Sequence, residues 1–199
     1  MKNRMSPTPE SPGEVSRWHL HQAVRMLHAG GIIAYPTEAV YGLGCDPLHG
    51  DTVQRLLALK RRPMEKGLIL IASDWAQLEP YLQPLTPACQ RRLFASWPGP
   101  HTWVLPCRPE VPQWLRGNHE SLAVRITAHP LAAALCTAWG GALVSTSANR
   151  GGLPPARSLL RVRQQFGDAL DYLLPGALGG LAKPTAIRDG LTGAVLRGA

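Results

Sequence analysis

With 199 residues, 45% hydrophobic and 17% charged, the chain is long and apolar enough to bury one substantial core, which excludes a disordered protein. No apolar run is long enough to span a bilayer as a helix. Cys45, Cys89, Cys107 and Cys136 are widely separated with no Cys-x-x-Cys pair, which disfavours a zinc cluster or redox motif, and the chain's size makes a disulfide scaffold unnecessary. The net charge of +8 points to an anionic partner, a nucleotide, a nucleic acid or both.

Residues 1–14, with Pro7, Pro9 and Pro12 and no apolar segment, read as a flexible tail without a secretory signal, so a cytoplasmic protein with one domain over 15–199 is expected. Ser16 can cap a first helix with Leu20, Ala23, Val24 and Leu27 on one face, ended by Gly30-Gly31. Ile32 to Tyr35 is a short buried strand, and Pro36 should end its regular pairing. It feeds Thr37 and Glu38 into a loop containing Gly42 and Gly44, where glycine allows a ligand close to the backbone. Asp51, with Gln54 three residues on, predicts a second helix ended by Pro63, and Leu68 to Ala72 predicts a strand. A short helix from Ser73 or Asp74 follows, then a helix from Thr86-Pro87 to about Trp97. A strand is expected over Thr102 to Leu105, and an irregular loop around Trp114. Ser121 to Thr127 alternates as a half-covered strand does. Pro130 to Trp139 is helical, Ala142 to Ser145 is a strand, and Ser158 to Phe166 is a basic helix. Short strands near Tyr172, at Thr185 to Ile187 and at Ala194 to Arg197 complete the chain. Strands that follow one another without a full helix between them predict an α/β fold with a mixed sheet rather than a strictly parallel one.

Standard nucleotide motifs are missing. No G-x-x-x-x-G-K-[ST] loop occurs, and Pro47 breaks the dinucleotide fingerprint that Gly42-Leu43-Gly44 could begin. A phosphate would have to be held by side chains. Lys60-Arg61-Arg62-Pro63 is the best cation cluster for this, with Arg as a fork and Lys as a point charge, although basic residues in the last turn of a helix also complement its dipole. Ser145-Thr146-Ser147-Ala148-Asn149 gathers hydroxyls and an amide just after a buried strand. That pattern suits either a ligand-binding edge or a simple Asn turn.

Taken together, the motifs form a recognisable series. Gly-x-Ile-x-Ala-Tyr-Pro-Thr-Glu-x-x-Tyr-Gly-Leu-Gly-Cys-Asp is followed by Lys-Arg-Arg-Pro, Trp-Pro-Gly-Pro-x-Thr, Ala-Val-Arg-x-Thr-x-His-Pro and Ser-Thr-Ser-Ala-Asn. From about Val15 to the C-terminus the chain closely resembles the YrdC/TsaC family of threonylcarbamoyl-AMP synthases, in its short form. The resemblance implies a twisted mixed sheet surrounded by helices with a concave basic cleft. It also implies a reaction: ATP, L-threonine and bicarbonate or CO2 give threonylcarbamoyl-adenylate and diphosphate, with Mg2+ carried on the ATP phosphates. Partner proteins then move the threonylcarbamoyl group to the adenosine beside the anticodon of tRNAs that read A-starting codons.

Carried over by motif, Lys60 and Arg62 are triphosphate ligands and the residues assigned to catalysis. Ser121, Ser147, Asn149 and Arg197 complete the ATP set, and Thr37, Arg125, Ser145 and Thr185 form the threonine set. Three positions depart from the family pattern: Thr185, where the family carries Ser and the hydroxyl survives; Lys66, where other members often carry Asn; and Ile71, where some carry His. The carbamate nucleophile is already an anion, so adenylation needs alignment and charge neutralisation more than a strong base. Glu38 and Asp46 are the candidates if a base or a water-mediated metal contact is used. Two other readings stand beside this one. The first is an RNA-binding module without catalysis, motivated by the charge and by Arg157, Arg161 and Arg163. The second is a carbamoyl-adenylate maker that takes another donor, since related domains occur in hydrogenase maturation proteins.

Overall fold

The computed structural model describes residues 17–198, in which short apolar runs form one sheet and the amphipathic segments pack on it as helices. Helix α1 (Arg17–His28) buries Ala23 and Leu27, and the chain turns at Gly30, φ +71°, into β1 (Ile33–Pro36). The order continues β2 (Tyr41–Gly44), α2 (Gly50–Lys60), β3 (Ile69–Ala72), α3 (Pro87–Phe94), β4 (His101–Pro106) and α4 (Gln113–Arg116). Then come β5 (Ser121–Ile126), α5 (Pro130–Trp139), β6 (Leu143–Ser147), α6 (Leu159–Phe166), β7 (Tyr172–Leu173), β8 (Ala186–Asp189) and β9 (Val195–Arg197).

The strands lie in the order β7-β1-β2-β6-β3-β5-β4-β8-β9. Pairs β1/β7, β3/β5 and β4/β8 are parallel and the others antiparallel, which is the mixed sheet the sequence predicts. Strand alternation divides the core. Ala34, Leu43, Leu70, Val124 and Val144 face one side, where α2, α3, α4 and α6 bring Leu56, Leu93, Leu115 and Phe166. Ile33, Tyr35, Ile71 and Leu143 face the other side, under Leu27 of α1 and Leu131 and Leu135 of α5. These two helices cover only part of that face, and the uncovered part becomes the site.

Several local expectations change. Gly42 and Gly44 are not in a loop but in β2, paired with Tyr35 and Ile33 across a hairpin whose last pair is Pro36 and Tyr41. A Cβ on Gly44 would stand 2.6 Å from the Val144 carbonyl and 2.7 Å from the Tyr35 ring, so the strand needs glycine there for packing. Helix α2 is capped by His49, whose Nδ1 accepts from the Thr52 amide, rather than by Asp51. The segment after Ser73 forms turns and one 3-10 turn at Glu79–Tyr81; Gln77 Oε1 accepts from the Ser73 amide and hydroxyl, an alternative to helical bonding. Helix α3 starts at the Thr86 cap as expected but stops at Phe94, before Trp97. The stretch around Trp114 is one helical turn, α4. The expected tail over residues 1–14 and the Ser16 cap lie outside the described residues.

Candidate active site

The uncovered part of the sheet is the floor of a cleft of about 450 Å3, a size usual for small-molecule sites. Register lays its residues side by side: Ser145 of β6 next to Ile69 of β3, and Ile69 next to Ala123 of β5. One step along, Ile71 pairs with both Leu143 and Arg125. Helix α5 packs over Ile71, which is fully buried, so this position contributes core rather than cleft wall. Gly42, paired with Ser147, lies on the cleft side; a Cβ there would meet Thr37, Tyr35 and Ser145 at 3.2–3.6 Å.

One end of the cleft is cationic. Helix α2 ends with Arg61 in the left-handed conformation, φ 51°, an uncommon backbone state for a residue with a Cβ. That turn separates its neighbours. Lys60 points inward, 5% exposed, and its ammonium donates to the carbonyls of Ser147 and of Asn149 (2.8 Å for the latter). Arg62 reaches the cleft wall, its fork donating to the Gly67 carbonyl at 2.8 and 3.2 Å. Lys66 and Arg197 line the same wall. Burial, then Arg62, pushes Lys60 down from the usual 10.5 to about 8. Burial, then Arg197, likewise lowers Arg62. Cations held together, with no carboxylate partner among the described residues, are what a polyanion needs.

The other end is a buried polar network. The Arg125 guanidinium donates through NH1 to the hydroxyls of Thr185 (2.7 Å) and Thr102 (3.4 Å), and its NH2 lies 3.5 Å from Glu38 Oε2. Glu38 Oε1 accepts from the Thr127 hydroxyl at 2.6 Å. Arg125 Nε and Glu38 Oε2 are buried without a hydrogen bond, as is the Tyr35 hydroxyl beneath Gly42. Thr37 closes the β1–β2 turn: its amide and hydroxyl both donate to the Val40 carbonyl. The segment after β7 crosses this turn, with the amides of Gly179 and Leu181 donating to the carbonyls of Thr37 and Glu38.

Of the residues assigned by motif, Thr37, Arg62, Arg125, Ser145, Ser147, Thr185 and Arg197 line the cleft together. Lys60, Ser121 and Asn149 are not on its wall. Lys60 stands behind the Ser147–Asn149 corner, because the carbonyls there take its ammonium. Asn149 is committed to that corner, accepting from the Ser147 hydroxyl at 2.6 Å and donating to the Leu153 carbonyl at 2.8 Å. Ser121 begins β5 opposite Pro106, one alternation beyond Ala123. Asp46 caps the turn after β2 through the Leu48 amide. Glu38 is spent on Arg125 and Thr127. Sequence reasoning did not assign Lys66 or Ile69 to the wall; the period-2 spacing from Ile69 and the run of cations after Lys60 were the available signals.

A family model described as "Telomere recombination" (Sua5/YciO/YrdC) matches residues 25–199. A protein of Nitrosococcus oceani named threonylcarbamoyl-AMP synthase is 57% identical over 180 residues, covering 90% of this chain and 97% of its own. Among solved structures, P. abyssi Sua5 complexed with L-threonine superposes with a TM-score of 0.83 at 29% identity over 88% of this chain; the match spans about half of that protein, 52%. E. coli YciO superposes with a TM-score of 0.82 at 26% identity, covering 94% of this chain and 91% of its own. By sequence along nearly its whole length, and by fold, the chain belongs to the Sua5/YciO/YrdC family.

Proposed function

We propose that this chain is a threonylcarbamoyl-AMP synthase, a nucleotidyltransferase that joins L-threonine, CO2 or bicarbonate and ATP into threonylcarbamoyl-adenylate and diphosphate. The observation that carries this is one cleft with two chemically different ends: cations at Arg62, Lys66 and Arg197 that have no carboxylate partner among the described residues, and a hydroxyl-rich pocket with a buried arginine at Thr37, Ser145, Thr185 and Arg125. The first suits a triphosphate and the second an amino acid carboxylate and hydroxyl.

The threonine amine adds to CO2 and loses a proton, giving a carbamate. A carbamate oxygen then attacks the α-phosphorus of ATP, and the bond to diphosphate breaks. Arg62, Lys66 and Arg197 offset the charge that builds on the leaving diphosphate, and the field of Lys60 reaches it from behind the Ser147 corner. Arg125, clamped by Thr185 and Thr102, orients the amino acid so that its carbamate points along the floor toward Ser147. MgATP is the substrate form. Among the described residues no three acids, histidines or cysteines stand together to hold a metal, and the wall is cationic, so the phosphates would carry the ion. The net charge of +8 supports tRNA and the proteins that consume the product as further partners.

Incubating the protein with MgATP, bicarbonate and threonine tests the reading through diphosphate release. Release that depends on threonine is expected; release without it, or none, would refute the assignment.

A further inference from the structure

The two ends of the cleft differ in how their charge is balanced. Among the described residues Arg62, Lys66 and Arg197 have no carboxylate partner, and the ion pairs are Arg55 with Asp171 and Arg125 with Glu38. Arg125, the cation at the amino acid end, is thus the one whose charge is cancelled, and both it and Glu38 are 6% exposed. A buried carboxylate is costly unless it is paired, and hydrogen-bonding Thr127 alone would not require a charge. Glu38 is held by Thr127 at 2.6 Å, and Arg125 by Thr185 at 2.7 Å, so neither side chain is free to swing away from the other. Arg125 Nε is left as a buried donor without an acceptor, so the guanidinium is not fully satisfied by its protein partners.

We infer that Glu38 is a positioning residue that fixes the Arg125 guanidinium and cancels its charge, so that this end of the cleft accepts a zwitterionic amino acid and rejects the polyphosphate bound at the other end. The inference rests on the assignment of the two ends to threonine and ATP. Without Glu38, Arg125 would extend the row of cations from Arg62, Lys66 and Arg197 across the whole floor. Diphosphate or a displaced triphosphate could then occupy the amino acid end as well. Selectivity here comes from a charge that disfavours the wrong ligand, not from an added contact to the right one.

Isothermal titration with inorganic diphosphate and with L-threonine tests this on the wild type, Glu38→Gln and Thr127→Val. The wild type should bind one diphosphate per chain without weakening threonine. Glu38→Gln, equal in shape, should bind a second diphosphate that threonine displaces, with threonine affinity reduced about tenfold or more. Thr127→Val keeps the charge and frees Oε1, so threonine affinity should fall several-fold with no second diphosphate; this variant decides the matter if Glu38→Gln does not fold. A folded Glu38→Gln that binds one diphosphate and holds threonine as the wild type does overturns the inference, as does an unchanged threonine affinity in Thr127→Val. A wild type that binds no threonine refutes the assignment of the ends itself, whereas a normal wild type with unresponsive variants refutes only the role of Glu38.

Discussion

Replacing Lys60 by Met removes one charge from the cationic end while keeping the apolar stem that α2 buries. The lowered pKa of about 8, against an ordinary 10.5, means that the fold disfavours the charged ammonium. That shift is worth about 3 kcal/mol at neutral pH. Against this, the ammonium donates to the Ser147 and Asn149 carbonyls, and each hydrogen bond from a charged donor contributes roughly 1.5–3 kcal/mol. The two effects largely offset, so Lys60→Met should change stability by no more than about 3 kcal/mol in urea denaturation. Binding of ATP should suffer more. A unit charge about 8 Å from a phosphate at an effective dielectric of about 20 is worth about 2 kcal/mol, about thirtyfold in affinity. The pH dependence has a defined sign. Because the folded pKa lies below the unfolded one, the stability penalty of the charge is fully present below pH 8 and fades as pH rises toward 10.5. Bound phosphate favours the protonated form, so ATP affinity in the wild type should fall as pH rises above 8, and Lys60→Met should lack this limb. Calorimetric titration of ATP from pH 7 to 9.5 checks both points. An unchanged affinity in the variant, with the same pH profile as the wild type, would refute the electrostatic role of Lys60.

Arg62→Ala should lower ATP affinity by about a hundredfold while leaving threonine binding and the circular dichroism spectrum intact, since its fork reaches only the Gly67 turn and the cleft. Thr185→Val removes the acceptor that holds Arg125 NH1; the KM for threonine should rise about tenfold with little change in the KM for ATP, measured by diphosphate release. Gly44→Ala drives a methyl to 2.6 Å from the Val144 carbonyl and should cost about 1–3 kcal/mol or prevent folding. Gly42→Ala meets its neighbours at 3.2 Å or more and should fold, yet raise the KM for threonine because its methyl enters the cleft. Equal effects of the two glycine changes on urea midpoints would contradict the packing described.

Elements with a local cause were legible in the sequence. The run Ile32 to Tyr35, the Thr86-Pro87 start, the Pro130 to Trp139 helix and the Ser145 to Asn149 strand end all stand close to where their composition puts them. Features set by distant partners were not. Gly42 and Gly44 read as a loop because the Tyr35 ring that requires Gly44 in a strand packs on it only after the hairpin closes. Glu38 read as a candidate base or metal contact, and its pairing was not visible because Arg125 and Thr127 lie 87 and 89 residues further along the chain, although Arg125 itself was assigned by motif. The direction of Lys60 depends on Arg61 adopting a left-handed conformation, which no propensity for arginine suggests. His49 was passed over as a cap because Asp51 and Gln54 offered a more familiar pattern.

In the proposed reaction a threonine carbamate at the Arg125 end attacks the α-phosphorus of an ATP whose leaving diphosphate lies at the Arg62 end. Parallel reactions with ATP labelled at the α- or the γ-phosphorus test it directly when the products are separated by mass. The α label should appear in a threonine-containing product that also carries carbon from labelled bicarbonate, and the γ label should appear in diphosphate. Release of the γ label as orthophosphate, or an α-labelled product without threonine, would contradict the account.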